Sequence, residues 1–144
     1  MSAVYASYGE SACSYYRYVK DMRQTNKKIL IVDDEPLILK VLGIKLRVAG
    51  YDVITALNGQ QALELVDSAR PDIMLLDIIM PGMDGFQVLQ KLRPLSDLPV
   101  IAFSARPEGA RKALSLGAND FLAKPFDLDE LLMRIQGCWI TRDK

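Results

Sequence analysis

Four charged side chains and one hydroxyl in the sequence could together carry out phosphoryl chemistry. They are Asp33, Asp34, Asp77, Ser104 and Lys124. Carboxylates that converge repel one another and raise one another's pKa, so a hard divalent cation is their natural counter-ion. A carboxylate can attack phosphorus to form an acyl phosphate, while a metal ion, a lysine and a hydroxyl neutralise the phosphoryl oxygens. These residue types predict a Mg²⁺-dependent phosphoryl site, provided that the fold brings them together.

Short apolar runs precede these polar positions and predict buried strands. The run that meets Asp77 is continuous and closes on a Pro-Gly turn, so this carboxylate belongs at the carboxyl end of its strand. An alternating run predicts one further strand, without a polar residue of this kind. The five predicted strands cover residues 29–32, 51–56, 72–77, 99–104 and 119–124.

Capping residues and helical spacing predict a helix after each strand. The predicted helices cover about 36–48, 58–69, 84–93, 107–116 and a stretch from 127 onward. In the first helix, one set of apolar residues at helical spacing is expected to face the sheet. This set is Leu37, Val41, Ile44 and Val48.

The alternation of strands and helices predicts a doubly wound α/β fold, in which a parallel sheet has helices on both faces. In such a sheet the carboxyl ends of the strands lie at one edge, which is where ligands bind. The polar residues at the strand ends should therefore converge at this edge.

Each polar residue also has an ordinary structural interpretation. Asp33 and Asp34 could simply begin a helix, where acids favour the dipole, and Asp77 could only turn the chain. Ser104 could be an ordinary residue at a strand end, and Lys124 a solvated one. Their occurrence in order at the ends of four different strands favours a shared site over separate explanations.

Composition limits the class of protein. The chain has 144 residues with 18 basic and 18 acidic side chains, which suits one domain and gives no electrostatic footprint for nucleic acid or membrane. The lack of histidine excludes histidine-based acid–base chemistry, and the chain cannot be its own phosphohistidine donor. Cys13 and Cys138 make neither a disulfide framework nor a metal site, so we expect a cytoplasmic protein.

Residues 1–26 differ from the rest and contain five of the six tyrosines. They could be a flexible leader. Alternatively, they could form one extra helix over about Glu10–Gln24 that docks on the domain or on a partner, since clustered tyrosines favour interfaces. Residues 27–144 form the single predicted domain.

Four ordered motifs resemble the receiver domain of two-component response regulators, of the chemotaxis-regulator-like kind. The motifs are Ile29–Pro36, Leu75–Gly85, Ser104–Ala105 and Gly117–Phe126, and the resemblance covers about residues 27–142. It implies a (βα)₅ flavodoxin-like fold with strand order 2-1-3-4-5. It also implies a phosphorylation-dependent signalling switch, which takes its phosphoryl group from a histidine kinase or a histidine phosphotransfer protein and acts on a downstream protein partner.

The resemblance assigns the acids to a metal and a phosphoryl group. It implies that Asp77 accepts the phosphoryl group and that Lys124 contacts it. It implies that Asp34 and Asp77 bind Mg²⁺ or Mn²⁺ directly, together with the backbone carbonyl of Ile79. Asp33 is then expected to act through water.

The resemblance also implies a route for the signal. Ser104 is the switch hydroxyl, which moves toward the phosphoryl group, and Phe121 occupies the position of the switch aromatic residue. The surface of helix four, strand five and helix five usually carries the signal to partners, and a homodimer can form through it. In the family, the bond between Lys124 and Pro125 is often cis.

This sequence departs from the family's pattern at two places. Phe121 has no hydroxyl, so an output that needs a tyrosine hydrogen bond is excluded, although rotation of the ring can still couple to Ser104 by packing. The segment from Ser104 to Lys124 spans 20 positions, a little fewer than usual, which favours a short fourth helix. No further domain follows, so we expect a stand-alone receiver or a piece of a longer chain, without direct nucleic-acid binding.

Two other functions use similar residues. A phosphohydrolase or phosphotransferase with an aspartyl-phosphate intermediate usually has a second carboxylate two residues after the nucleophile, and Ile79 occupies that position here. Because Ile79 cannot position a hydrolytic water, we expect self-phosphorylation, slow autodephosphorylation and a long-lived phosphoryl group on Asp77. A receiver that acts only as a scaffold is disfavoured by the intact acids and lysine.

Overall fold

The computed structural model describes the backbone of residues 27–142 and the side chains of residues 27–139. Strands and helices alternate along this part of the chain. The strands are β1 (Lys28–Val32), β2 (Asp52–Ala56), β3 (Ile73–Asp77), β4 (Val100–Ser104) and β5 (Asp120–Ala123). The helices are α1 (Pro36–Val48), α2 (Gly59–Ala69), α3 (Gly85–Leu92), α4 (Ala110–Ser115, after a 3₁₀ turn at Pro107–Gly109) and α5 (Leu128–Arg142).

The strands form one sheet in the order β2-β1-β3-β4-β5, and every neighbouring pair is parallel. The predicted doubly wound fold and its strand order are therefore confirmed. All five residues of β3 and of β4 are buried. Such continuously buried strands are expected where helices cover both faces of a parallel sheet.

The helices cover the sheet in two layers. On one face, α1 and α5 pack through side chains such as Leu46, Leu131 and Trp139. On the other face, α2, α3 and α4 pack around residues that include Val88 and Ala113. Because both faces are covered, the carboxyl ends of the strands are the part of the sheet that remains available to ligands.

The prediction for the buried face of α1 is wrong. The residues expected to face the sheet are instead exposed, and they are Leu37, Val41, Ile44 and Val48. The buried residues of α1 are Leu39, Leu42, Gly43 and Leu46. Both sets follow helical spacing, so periodicity alone could not distinguish them; the connections to β1 and β2 fix which set points inward.

The predicted capping residues define the helices of the opposite face. The Asn58 side chain accepts a hydrogen bond from the backbone N–H of Gln61 at the start of α2. Asp84 and Gln87 form a reciprocal capping box at the start of α3. The fourth helix is short, as expected, with six residues, and Gly117 follows it at a φ of 109°, a conformation that favours glycine.

Some expectations concern parts of the chain that the structure does not test. The leader of residues 1–26, the helix proposed within it and Cys13 lie outside the described residues. Within residues 27–142, no helix has the length and apolar character that crossing a membrane requires. The cytoplasmic location stays a prediction.

Candidate functional site

Three carboxylates meet at the carboxyl edge of the sheet. Asp33 and Asp34 follow β1, and Asp77 is the last residue of β3. One oxygen from each lies within 4.8 Å of the others. Asp33 and Asp77 are buried, with 0% and 5% of their surfaces exposed, whereas Asp34 is half-buried. The convergence predicted for these acids is therefore present.

Backbone amides hold the two buried carboxylates in place. The N–H of Glu35 donates to Asp33 Oδ1 at 2.9 Å, and the N–H of Ile79 donates to Asp77 Oδ1 at 3.3 Å. The sheet fixes the backbone on either side, since the N–H of Ile78 donates to the carbonyl of Phe103 at 3.1 Å. Each carboxylate is thus oriented by the turn that directly follows its own strand.

Lys124 brings a positive charge to this group of acids. Its Nζ lies 3.3 Å from Asp33 Oδ2 and 3.6 Å from Asp77 Oδ2. The backbone N–H of Lys124 donates to the carbonyl of Ser104 at 2.8 Å, and the Lys124–Pro125 bond is cis. The lysine predicted to serve the site therefore bridges the two buried carboxylates.

The ring of Phe103 also contacts this lysine, and sequence reasoning did not identify it. Lys124 Nζ lies 4.9 Å from the centroid of the ring, a distance at which the π face attracts a cation. In the sequence, Phe103 is indistinguishable from the other apolar residues of β4. Only its position immediately before Ser104 could have indicated that its ring lies near the carboxyl edge of the sheet.

The surroundings of Asp77 disfavour its charged form. Burial raises the pKa of this carboxyl from 3.8 to about 6, and the neighbouring charge of Asp33 adds to the effect. Lys124 and the N–H of Ile79 oppose the rise, while Asp34 reinforces it more weakly. With three acids and one lysine, the site has an excess of negative charge that a bound cation would reduce.

The two predicted switch residues lie beside this site, on neighbouring strands. Ser104 ends β4, is buried, and accepts a hydrogen bond at its Oγ from the N–H of Arg106 at 3.0 Å. Phe121 pairs with Ala102 in the β4–β5 register and packs partly buried on the face covered by α4. The structure therefore places Ser104 at the edge with the acids, and Phe121 two residues back along the sheet.

The backbone at Gly85, the first residue of α3, packs closely against the turn that follows Asp77. The N–H of Gly85 donates to the carbonyl of Ile78 at 2.8 Å. A Cβ at Gly85 would lie 2.7 Å from the carbonyl oxygen of Asp77 and from Cα of Ile78. Only glycine allows the start of α3 to pack so closely against the turn that follows Asp77.

The donor groups at this edge suit a hard cation. Carboxylate and carbonyl oxygens are the ligands that Mg²⁺ prefers, and Ile79, which follows Asp77 by two residues, has a half-exposed side chain. Neither histidine nor a paired cysteine is available for a softer metal. The residues present therefore fit Mg²⁺, and the site can neutralise the charges of a phosphoryl group bound next to Asp77.

Comparison with known proteins assigns a family to this arrangement. The profile of the response regulator receiver domain matches residues 29–136. The chain belongs to this family. Receiver domains of two-component response regulators are phosphorylation-dependent switches, and this receiver has a signalling function.

Curated relatives of the receiver are named as transcriptional regulators. It is 44% identical over 115 residues to the probable transcriptional regulator ycf27 of Guillardia theta, which covers 78% of this chain and 45% of the relative. It is 46% identical over 110 residues to the transcriptional regulatory protein KdpE of Mycobacterium tuberculosis, which covers 75% of this chain and 49% of the relative. The chain spans about half the length of these relatives. The expectations of a stand-alone receiver and of no nucleic-acid binding therefore find no support.

Solved structures share the fold of the receiver. The receiver domain of the Francisella response regulator 1452 has a TM-score of 0.76 at 34% identity, covering 83% of this chain and 100% of that one. The chemotaxis protein CheY4 of Vibrio cholerae has a TM-score of 0.72 at 34% identity, covering 76% and 96%. TrrA of Thermotoga maritima, solved in complex with Mg²⁺ and BeF, has a TM-score of 0.72 at 36% identity, covering 77% and 97%.

Proposed function

We propose that Asp77 is the phosphoryl acceptor of this receiver and that the donor is a histidine kinase or a histidine phosphotransfer protein. The observation that carries this proposal is the position of Lys124 Nζ between the buried carboxylates of Asp33 and Asp77. A buried carboxylate is poorly hydrated, and the lysine favours its ionised, nucleophilic form. Because residues 1–144 contain no histidine, the phosphohistidine lies outside this stretch of chain.

In the transfer step, a carboxylate oxygen of Asp77 forms a bond to phosphorus while the bond between phosphorus and the donor's imidazole nitrogen breaks. The imidazole leaves with the electron pair of that bond. Lys124 offsets negative charge on the phosphoryl oxygens, and the hydroxyl of Ser104 is available to donate a hydrogen bond to one of them. The protein's contribution is to position these groups, since the reaction needs no other covalent catalyst.

Asp34, Asp77 and the backbone carbonyl of Ile79 are the groups that we propose as ligands of Mg²⁺ or Mn²⁺, with Asp33 acting through water. The bound ion supplies positive charge that reduces repulsion among the carboxylates and attracts the phosphoryl oxygens. Support comes from the three carboxylate oxygens within 4.8 Å of one another. We also propose that the receiver phosphorylates itself from small phosphoryl donors, which bring no protein groups of their own.

The switch is proposed to run from Ser104 to α4. If the hydroxyl of Ser104 turns to the phosphoryl group, its Oγ can no longer accept the hydrogen bond from Arg106, and the loop before α4 is released. At the other end of α4, the guanidinium of Arg93 donates twice to the carbonyl of Gly117, at 3.0 and 2.8 Å. Movement is therefore expected at the start of α4. The ring of Phe121, on β5, can follow this movement by repacking.

The output is proposed to pass through the surface of α4, β5 and α5 to a downstream partner or to a second copy of the receiver. The names of the relatives suggest that transcription is the process controlled. A metabolic phosphohydrolase remains disfavoured, because the side chain two residues beyond Asp77 is the apolar Ile79.

The intact mass of the protein tests the proposal directly. Incubation with Mg²⁺ and a small-molecule phosphoryl donor should add one phosphoryl group to the wild type and to Asp67→Asn, which alters an exposed acid outside the site. The Asp77→Asn variant should gain none, and chelation of Mg²⁺ should prevent the reaction in all three. An adduct on Asp77→Asn would show that the acceptor is a different residue.

A further inference from the structure

An aromatic ring on α3 contacts α4. Phe86 is the second residue of α3, and its half-buried side chain packs in the layer that α2, α3 and α4 form on one face of the sheet. Lys112, on α4, is exposed, and its Nζ lies 4.5 Å from the centroid of the Phe86 ring. At such a distance the π face of a ring attracts an ammonium group. The two helices are therefore joined through one ring and one cation.

The turn before α4 also approaches this ring. A Cβ at Gly109, which ends the 3₁₀ turn at Pro107–Gly109, would lie 3.4 Å from Phe86 Cζ. The same loop is also held by the hydrogen bond that the N–H of Arg106 donates to Ser104 Oγ at 3.0 Å. The start of α4 is therefore held at two places, by the hydroxyl that ends β4 and by the ring at the start of α3.

The ring of Phe86 has a rigid support. The preceding residue, Gly85, donates its N–H to the carbonyl of Ile78 at 2.8 Å, and a Cβ at Gly85 would lie 2.7 Å from the carbonyl oxygen of Asp77. Backbone packed so closely resists displacement. Phe86 therefore belongs to the fixed corner beside Asp77, and α4 must leave the ring if its start moves away from this corner.

Helix α3 holds both ends of α4, with interactions of unequal strength. Arg93, which caps the carboxyl end of α3, donates two hydrogen bonds to the carbonyl of Gly117, at 3.0 and 2.8 Å. Hydrogen bonds from a charged donor are among the stronger ones in proteins, whereas the cation–π contact of an exposed lysine is weak. A movement of α4 against α3 therefore separates Lys112 from Phe86 before it breaks the contacts at Gly117.

We propose that Phe86 and Lys112 form a latch, which holds the start of α4 against α3 and opposes the movement that phosphorylation of Asp77 produces. This inference rests on the proposed route from Ser104 to α4. Breaking the hydrogen bond between Ser104 and Arg106 frees the loop, but the start of α4 leaves its place only when Lys112 also leaves the ring. The latch therefore sets the ratio of the two arrangements. A cation–π contact at an exposed site changes such a ratio by about two- to fivefold, which is enough to adjust a switch without locking it.

Hydrogen exchange without phosphorylation tests the latch by itself. Lys112→Gln removes the cation and Phe86→Leu removes the aromatic face, and each should speed exchange at the amide of Gly109 by about two- to fivefold. Exchange at Gly117, at the fixed end of α4, should not change. The double variant should exchange no faster than Phe86→Leu alone, since both changes remove the same contact. Lys112→Arg keeps a cation over the ring and should behave as the wild type.

Binding of beryllofluoride with Mg²⁺, a stand-in for the phosphoryl group, tests the link between the latch and the switch. The half-saturating concentration of beryllofluoride, followed by fluorine NMR, should fall by about two- to fivefold in Lys112→Gln and in Phe86→Leu. The reason is that a ligand binds more tightly once the arrangement that competes with its own is destabilised. A residue that only supported the fold would not increase this affinity when it is replaced.

Arg111→Gln is the matched control, because it removes the same charge from an exposed neighbour on the same helix, and it should match the wild type in both measurements. The proposal is overturned if this control speeds exchange as much as Lys112→Gln does, or if the effects of Lys112→Gln and Phe86→Leu add in the double variant. It is also overturned if both variants bind beryllofluoride only as tightly as the wild type. A wild type that binds no beryllofluoride would instead count against the proposed function, and hydrogen exchange would still decide on the latch. Lys112→Gln changes an exposed side chain, so the test stays valid if Phe86→Leu fails to fold.

Discussion

Asp77 combines burial with the charge of two neighbouring carboxylates, and this combination ties its ionisation to the stability of the fold. Its pKa of about 6 in the folded protein lies above the ordinary value of 3.8, because burial and Asp33 disfavour the charged form more than Lys124 favours it. The folded state therefore binds a proton at Asp77 more tightly than the unfolded chain does. This contribution to stability is fully present below pH 3.8 and is lost as the pH rises through 6.

The first prediction concerns Asp77→Asn in the absence of metal. The rise in the pKa of Asp77 from 3.8 to about 6 corresponds to a cost of about 3 kcal/mol for keeping the carboxylate charged in the folded protein at neutral pH. An asparagine amide carries no charge and avoids this cost. The variant should gain about 3 kcal/mol in free energy of unfolding, relative to wild type, between pH 4 and pH 7. Urea denaturation at several pH values measures this difference. A difference between the two proteins that does not change with pH would contradict it.

A second prediction concerns Ile79, whose half-exposed, apolar side chain is two residues beyond the proposed acceptor. Because this side chain cannot orient or deprotonate water, the phosphoryl group on Asp77 should persist far longer than seconds. Ile79→Glu provides a carboxylate at the same place and should shorten the lifetime by about tenfold or more. Release of inorganic phosphate measures both lifetimes, with Ile79→Val as the control. A wild-type half-life of seconds would refute the prediction.

At the scale of elements, the site depends on how closely α3 approaches the turn after β3. Gly85 permits this approach, since a Cβ there would meet backbone atoms of Asp77 and Ile78 at 2.7 Å. Backbone atoms cannot yield as a flexible side chain can. The start of α3 and the carboxylate of Asp77 are therefore held in one rigid corner, at which the capping box of Asp84 and Gln87 also lies.

Gly85→Ala is predicted to destabilise the protein by about 2–4 kcal/mol, through overpacking and displacement of the turn. Gly137→Ala in α5 is the matched control, because a Cβ there has no heavy atom within 4 Å. In a helix that substitution should instead stabilise by about 0.5–1 kcal/mol. Chemical denaturation compares the two variants. Equal effects would show that the contact with Asp77 does not constrain α3.

The proposed switch makes a prediction about the two ends of α4. Phosphorylation should increase hydrogen exchange in the loop at Arg106 and at Pro107–Gly109, where a hydrogen bond to Ser104 is lost. It should change exchange little at Gly117, which Arg93 holds. Ser104→Ala should still accept a phosphoryl group but show no difference between its phosphorylated and unphosphorylated forms, because it lacks the hydroxyl from the start. An equal change in hydrogen exchange along the whole of α4 would exclude a movement confined to its start.

The sequence predicts most of these elements, because the relevant signals are local. Apolar runs in the sequence predict the buried strands. Asn58 and Asp84 indicate helix starts, because their side chains cap the helices. The polar residues at the strand ends could be placed together because parallel strands share one carboxyl edge. The buried face of α1 could not be predicted, since Leu37 and Leu39 each begin an apolar set at helical spacing. Phe103 was missed for a related reason: its contact with Lys124 depends on a pairing between β4 and β5.

At the scale of the molecule, the surface of α4, β5 and α5 has features of an interface. Met133 on α5 and Leu114 on α4 are 68% and 47% exposed. Beside them, Arg134 Nη1 forms an ion pair with Asp120 Oδ1 at 2.6 Å, and this side chain is itself partly exposed. Apolar side chains next to a charged pair are suited to a contact that must form and separate.

The prediction at this scale is that phosphorylation promotes a homodimer through that surface. Sedimentation of the receiver with Mg²⁺, before and after phosphorylation, should show a shift toward dimer. Met133→Glu should weaken the dimer by about tenfold or more, since it brings a charge into the contact. Leu95→Glu brings the same charge to another exposed apolar residue, which follows α3, and should leave the dimer unchanged. Dimerisation that ignores Met133→Glu would place the interface elsewhere.

The ion pair between Lys124 and Asp33 joins residues 91 positions apart in the chain. A chain still emerging from the ribosome has its acids long before it has this lysine, and β5 must be released before the sheet can close. Until then Asp77 lacks its neutralising partner Lys124. The charge balance at this edge is therefore completed only after synthesis of almost the entire domain.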